Sequence, residues 1–129
     1  MKTSLPPKPT DAELAILRVL WERGPSTVRQ VMDALCRTQP TGYTTVLKLM
    51  QIMTEKGLLR REESGRVHIY EAARSQEMTQ QQLVNHLLDR AFGGSTEKLV
   101  LRALAAKQAT PADLAEIRRL LARMEKESQ

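Results

Sequence analysis

The sequence predicts a mainly α protein with a small β-hairpin: a winged helix-turn-helix domain followed by an all-helical dimerisation domain. Three observations carry this. Apolar residues recur at helical spacing in six segments. Two short extended runs flank a glycine-bearing turn after the third of them. Charge is also divided unevenly: residues 1–74 carry 12 Lys/Arg against 8 Asp/Glu, whereas residues 75–129 carry 8 against 7. The expected organisation is an arm over 1–9, a DNA-binding domain over 10–74 and a dimerisation domain over 75–129.

The arm contains Pro6, Pro7 and Pro9 and reads as extended. Thr10 precedes Glu13 by three residues, the spacing of a capping box that satisfies free N–H groups at a helix start. Leu14, Leu17, Leu20 and Trp21 then repeat at helical spacing, and Gly24-Pro25 stops the helix near Arg23. Ser26 or Thr27 opens a second helix with Val28, Val31, Met32 and Leu35 on one face. A polar stretch from Arg37 to Gly42 separates it from a third helix, Tyr43 to about Lys56. That helix is apolar at Val46, Leu49, Met50 and Met53, and Gly57 ends it. The extended runs are Leu58–Glu62 and Val67–Tyr70, joined by the turn Glu63-Ser64-Gly65-Arg66.

From Ser75 the pattern is helical only. Ser75 to about Phe92 forms one segment, which Gly93-Gly94 breaks. Ser95 or Thr96 opens the next, and Thr110-Pro111 starts the last in the favoured cap-then-proline order. Three amphipathic helices over so short a stretch bury too little by themselves, which points to pairing of two chains. The apolar positions expected at that interface are Leu83, Leu87, Leu99, Leu104, Leu114, Ile117, Leu120, Leu121 and Met124.

Composition narrows the function. A chain of 129 residues cannot house a large catalytic α/β scaffold. No apolar run reaches the ~18 residues of a membrane span, so no membrane insertion is expected. The N-terminus shows no apolar h-region of a signal peptide. With the single Cys36, this points to a reducing, cytoplasmic location. Trp21, Tyr43, Tyr70 and Phe92 are the only aromatics, few for a protein that stacks exposed bases. His68 and His86 have no ligand-spaced companions, so neither a metal nor another cofactor is expected. No nucleophile–base set or phosphate loop is present, which argues against an enzyme.

The third helix is the candidate reader of duplex DNA. Tyr43, Thr44 and Thr45 open it, and Lys48 lies one turn on. Hydroxyls, a methyl group and an ammonium at a helix N-terminus suit base edges and phosphates in the major groove. The bland alternative is that Thr44 or Thr45 caps the helix and Lys48 is a solvated charge. Arg60, Arg61 and Arg66, on or beside the hairpin, are candidate phosphate contacts, Arg66 foremost because it stands at the tip. Lys2 and Lys8 lie on the arm, where disorder is expected to outweigh DNA contact. Trp21 and the methionines Met32, Met50, Met53, Met78 and Met124 are expected in the core, and Cys36 as a half-buried small residue.

The run from Thr10 to Leu35, "TDAELAILRVLWERGPSTVRQVMDAL", followed by "YTTVLKLMQIMTEKGLLRRE" and "GRVHIYEA", resembles the BlaI/MecI/CopY penicillinase-repressor family. The likeness extends to about Met124. Leu20-Trp21-Glu22, Thr45-Val46 and Lys56-Gly57-Leu58-Leu59, in that order and spacing, are its most specific parts. The resemblance implies a homodimeric winged-helix repressor of a dyad operator in double-stranded DNA. Two departures stand out at the reading helix: Leu47 replaces a residue that is often basic in the family, and Lys48 replaces a Thr. The copper-responsive members carry a C-terminal cysteine cluster that this sequence lacks. In the penicillinase branch a membrane-bound sensor protease leads to cleavage at an Asn–Phe bond after a short apolar strip. Here Leu99-Val100-Leu101 is the equivalent strip and Arg102-Ala103 stands at the bond, so cleavage there is not implied. A winged-helix module that binds protein rather than DNA is the reading of a different class.

Overall fold

The computed structural model describes residues 6–63, 65–106 and 109–128; Lys2 and Ser64 lie outside them. Element order is α1 (Asp11–Arg23), α2 (Val28–Leu35), α3 (Tyr43–Glu55), β1 (Leu59–Glu62), β2 (Ile69–Ala72), α4 (Gln76–Ala91), α5 (Thr96–Ala106) and α6 (Pro111–Glu127). The chain forms two compact units, Met1–Val84 and Asn85–Gln129, which divide within α4.

The first unit is built from well-capped helices. Thr10 and Glu13 form the expected capping box on α1, and Thr27 with Gln30 forms another on α2. Ile16, Leu17 and Leu20 of α1 meet Val28 and Val31 of α2 and Val46, Met50 and Met53 of α3 in one buried cluster. Gly57, at φ 87°, takes the left-handed conformation that ends α3, and the Leu58 amide donates back to Met53 O at 2.9 Å. The chain is thereby delivered straight into β1.

The hairpin pairs antiparallel with Leu59 opposite Ala72 and Glu62 opposite Ile69. The second strand therefore runs two residues later than the sequence pattern suggests, and Val67 and His68 belong to the connecting loop. The cause is Tyr70, which is 1% exposed and must face the core. It is held from both sides: its amide donates to Ser26 O at 2.8 Å, and its carbonyl accepts the Ser26 amide at 2.9 Å. Ser26 thus acts as a short third strand that ties the hairpin to the turn before α2.

Several expected core positions differ. Met78 and Met124 are exposed, and so is Cys36, which sits at the C-terminal cap of α2 with Sγ donating to Thr41 O at 3.3 Å. A hydrogen bond to a loop carbonyl keeps this thiol at the surface rather than in the packed cluster. Trp21 is half-buried against the core and donates Nε1–H to Arg74 O at 3.0 Å. The described part of the arm is docked: Pro9 is buried, and Gln82 Nε2 of α4 donates to Pro6 O at 2.9 Å.

In the second unit, Ser95 accepts the Lys98 amide and Thr110 with Asp113 forms a capping box around Pro111. Neither α5 nor α6 buries a single side chain. Leu101, Leu121 and Met124 are each more than half exposed.

An ion pair joins the far ends of two helices in the first unit. Lys56 Nζ, just after α3, donates to Glu13 Oε2 at 2.6 Å, while Glu13 Oε1 accepts the Thr10 amide at 3.0 Å. Burial alone would raise the Glu13 carboxyl, but the hydrogen bonds and charge supplied by Lys56 and Thr10 outweigh it and hold it below its ordinary value of 4.5. A depressed carboxyl stabilises the fold above the unfolded-state value, and that contribution is lost as pH falls through the lower folded-state value. Glu13→Gln keeps the capping geometry but removes the charge. It is expected to cost about 1–2 kcal/mol at neutral pH in urea denaturation. The gap between variant and wild type is expected to close progressively below pH 4.5.

Candidate nucleic-acid interface

The face of α3 that turns away from the core carries Tyr43, Thr44, Thr45, Lys48 and Gln51, all exposed. Val46, Met50 and Met53 occupy the opposite face and fix the rotation of the helix. Gly42 is the N-cap residue, and no side chain caps α3. The Thr44 and Thr45 hydroxyls are therefore not used as a cap. Both threonines stand at the start of the helix, beside backbone amides that lack the side-chain acceptors seen on α1, α2 and α6. Lys48 makes no ion pair among the described residues.

The charges of the hairpin fall in two groups. Arg60 pairs with Glu71 at 3.4 Å across the strands, and Arg61, opposite Tyr70 in the register, donates Nε–H to Glu63 Oε2 at 2.9 Å. Hydrogen bonds to the Tyr70 phenol oxygen and to Glu63 hold the Arg61 guanidinium above its ordinary pKa. One cleft is lined by Arg60, Arg61, Glu62 and Glu71, so its charges largely cancel. Another, of about 400 Å³, is lined by Arg66, Val67 and His68 together with Arg29 of α2 and Tyr43 and Leu47 of α3. No acidic residue lines it.

Of the sequence-derived candidates, the structure brings Tyr43 and Arg66 to this cleft and sets Thr44, Thr45 and Lys48 on the exposed face of α3. Arg60 and Arg61 line a separate, carboxylate-bearing cleft. Sequence reading missed Arg29. Its guanidinium carbon lies 5.6 Å from the centroid of the Tyr43 ring. One signal for it exists in the sequence: a lone cation in the first turn of a helix, where the macrodipole disfavours positive charge. His68, read as a strand residue, is instead a loop residue of the same cleft. Among the described residues no three His, Cys, Asp or Glu side chains come together in a group suited to a metal ion. No described helix is long and apolar enough to cross a membrane.

Three packed helices closed by a hairpin that pairs with the turn before α2 define a winged helix-turn-helix protein. Residues 9–123 match the family described as Penicillinase repressor, and the chain belongs to that family. The transcriptional regulator BlaI of Mycobacterium tuberculosis is 32% identical over 117 residues, which span 89% of this chain and 83% of that one. The penicillinase repressor of Bacillus licheniformis is 25% identical over 116 residues, spanning 89% and 90%. The solution structure of the DNA binding domain of the repressor BlaI shares the fold, with a TM-score of 0.50 and 24% identity, over 57% of this chain and 90% of that one. The solution structure of the Bacillus licheniformis BlaI monomeric form in complex with the blaP half-operator matches with a TM-score of 0.50 and 25% identity, over 57% and 89%.

The hairpin depends on Tyr70 more than on any pairing along its length. Tyr70→Ala is expected to destabilise the first unit by about 3–5 kcal/mol, the range for truncating a large buried aromatic. Thermal unfolding followed by circular dichroism measures this.

Proposed function

We propose that the protein is a homodimeric transcriptional repressor that binds a dyad operator in double-stranded DNA. The observation that carries this is the exposed, cation-bearing face of α3, set beside a cleft to the wing whose lining has no carboxylates. In this reading each protomer lays α3 in the major groove of one half-site. Tyr43, Thr44 and Thr45 meet base edges or phosphates at the helix start, and Lys48 reaches a guanine edge or phosphate one turn on. Arg66 meets the flanking backbone, whereas Arg60 and Arg61, already paired with glutamates, contribute less. The related BlaI monomeric form is solved in complex with the blaP half-operator, which supports DNA as the partner of this chain.

Pairing of two chains is the second half of the proposal. Leu83, Leu87, Leu99, Leu104, Leu114, Ile117, Leu120, Leu121 and Met124 form stripes on helices that bury little or nothing within one protomer. Apolar faces of this extent seek cover, at about 25 cal/mol for each Å² removed from water. A second copy of residues 75–129 is the economical cover, and it makes the two α3 helices a symmetric pair that matches a dyad. The chain acts where the DNA is, in the cytoplasm, and performs no catalysis. Relief of repression, in this reading, comes either by proteolysis through a membrane sensor protease, as in the penicillinase branch, or by a different signal.

Two variants test the two halves. Lys48→Ala is expected to weaken binding to a selected operator duplex by about 1–3 kcal/mol, read by fluorescence anisotropy. Leu120→Asp is expected to give monomers in analytical ultracentrifugation, with most of the operator affinity lost. Wild-type binding to random duplex is expected to fall steeply with salt. A flat salt dependence would instead favour a module that binds protein.

A further inference from the structure

We infer that the cleft between α2, α3 and the wing is a seat for the DNA sugar-phosphate backbone, with Arg29 as its central cation. The inference rests on the DNA-binding reading above and adds a residue and a role to it.

Arg29 is the second residue of α2, next to the Thr27 cap. Positive charge in a helix's first turn opposes the macrodipole and costs stability. No acidic residue in that turn offsets it. Its neighbour across the cleft is the Tyr43 ring, at 5.6 Å, which pins a long, flexible side chain in one place before any ligand arrives. Arg66 lines the same cleft from the wing, beside the His68 ring, so two guanidinium groups approach from two elements with no carboxylate in the lining. Such an arrangement is poorly suited to folding and well suited to an anion. A guanidinium fork held by an aromatic face binds phosphate oxygens in a fixed direction. Tyr43 opens α3, so a backbone strand in this cleft runs past the start of the reading helix and fixes its depth and register in the groove. Arg29 is on this account a positioning residue: it carries affinity common to all sequences, not the choice among them.

The test uses the full chain as wild type, Arg29→Gln, Tyr43→Ala, the double variant and Lys48→Ala. Each is titrated by anisotropy against two duplexes of about 40 base pairs, one random and one selected from a random pool by the wild type. Arg29→Gln is expected to weaken both duplexes alike, by about fivefold to tenfold, and to make the slope of log K against log salt shallower by about one per bound protomer. Tyr43→Ala removes both the ring that holds Arg29 and its own contact at the start of α3, so on the random duplex the double variant is expected to lose clearly less than the sum of the two single losses. Lys48→Ala is expected to fall mainly on the selected duplex. The melting temperature of Arg29→Gln is expected to stay level or rise, which a structural role for Arg29 would not permit.

An unchanged salt slope, a loss confined to the selected duplex, or independent losses in the double variant would overturn the inference. If the wild type binds neither duplex with salt dependence, the DNA reading itself fails, and the inference falls with it.

Discussion

The Glu13 carboxylate, with the residue only 2% exposed, holds two helix ends at once. One oxygen accepts the Thr10 amide at the start of α1, and the other accepts Lys56 at the end of α3. Helix α3 carries the proposed reading face at its N-terminus, so a fastener at its C-terminus limits how far that face can swing. The apolar contacts of Val46, Met50 and Met53 set its rotation, but such contacts tolerate sliding more readily than a directed ion pair does. Lys56 is one-third exposed and keeps part of its hydration, which lessens the desolvation penalty that commonly cancels a buried pair. The same junction continues through Gly57 into β1. The position of the wing therefore depends on it as well.

Much of the first unit was legible because its boundaries are set locally. Thr10 with Glu13 is a short-range chemical device that stands where the sequence pattern put it, and between Ser26 and Thr27, which the pattern left open, Thr27 takes the cap with Gln30; Thr110-Pro111 does the same work in the second unit. Gly57 is another: only a glycine takes its positive φ cheaply. The second strand was misplaced because its position is decided at long range. Val67–Tyr70 alternates well enough, but the strand is pinned by the burial of Tyr70 and its pairing with Ser26, more than forty residues earlier. Likewise Arg29 and Tyr43 each carry a local signal, but nothing in their spacing announces that they meet. The exposed threonines of α3 were placed by its helical periodicity and the family likeness, and the open N-terminus of α3 is added by structure.

Helical periodicity also reports less than it is often taken to report. It identifies which face of a helix avoids water, not what covers that face. Leu20 on α1 and Leu121 on α6 sit in equally regular stripes, yet the first is sealed within its own chain and the second is exposed. Met78 and Met124, assigned to a core by spacing alone, are likewise exposed within the single protomer. The difference lies in what each unit can supply. Three helices and a hairpin close around one another over 84 residues, whereas the helices from Asn85 onward lack a sheet or further helix to close against. Small units with this shortfall are completed by partners.

Charge follows the same division of labour, at finer grain. A net charge of +5 on the whole chain is too small to argue for DNA by itself. What matters to an approaching polyanion is the charge left uncompensated on one side. The wing spends Arg60 and Arg61 on Glu71 and Glu63 and leaves Arg66 and His68 toward α3 without a carboxylate. Arg29 joins them from α2 despite the helix dipole, and Lys48 joins from the exposed face of α3. Internal pairing at Arg60 and Arg61, and its absence from the lining of the cleft beside α3, turn a modest surplus into a directed one. A fold that sorts its charges in this way presents a basic edge beside α3. Two such edges brought together by the apolar faces of α4 to α6 would meet a duplex over a longer span than either protomer reaches alone.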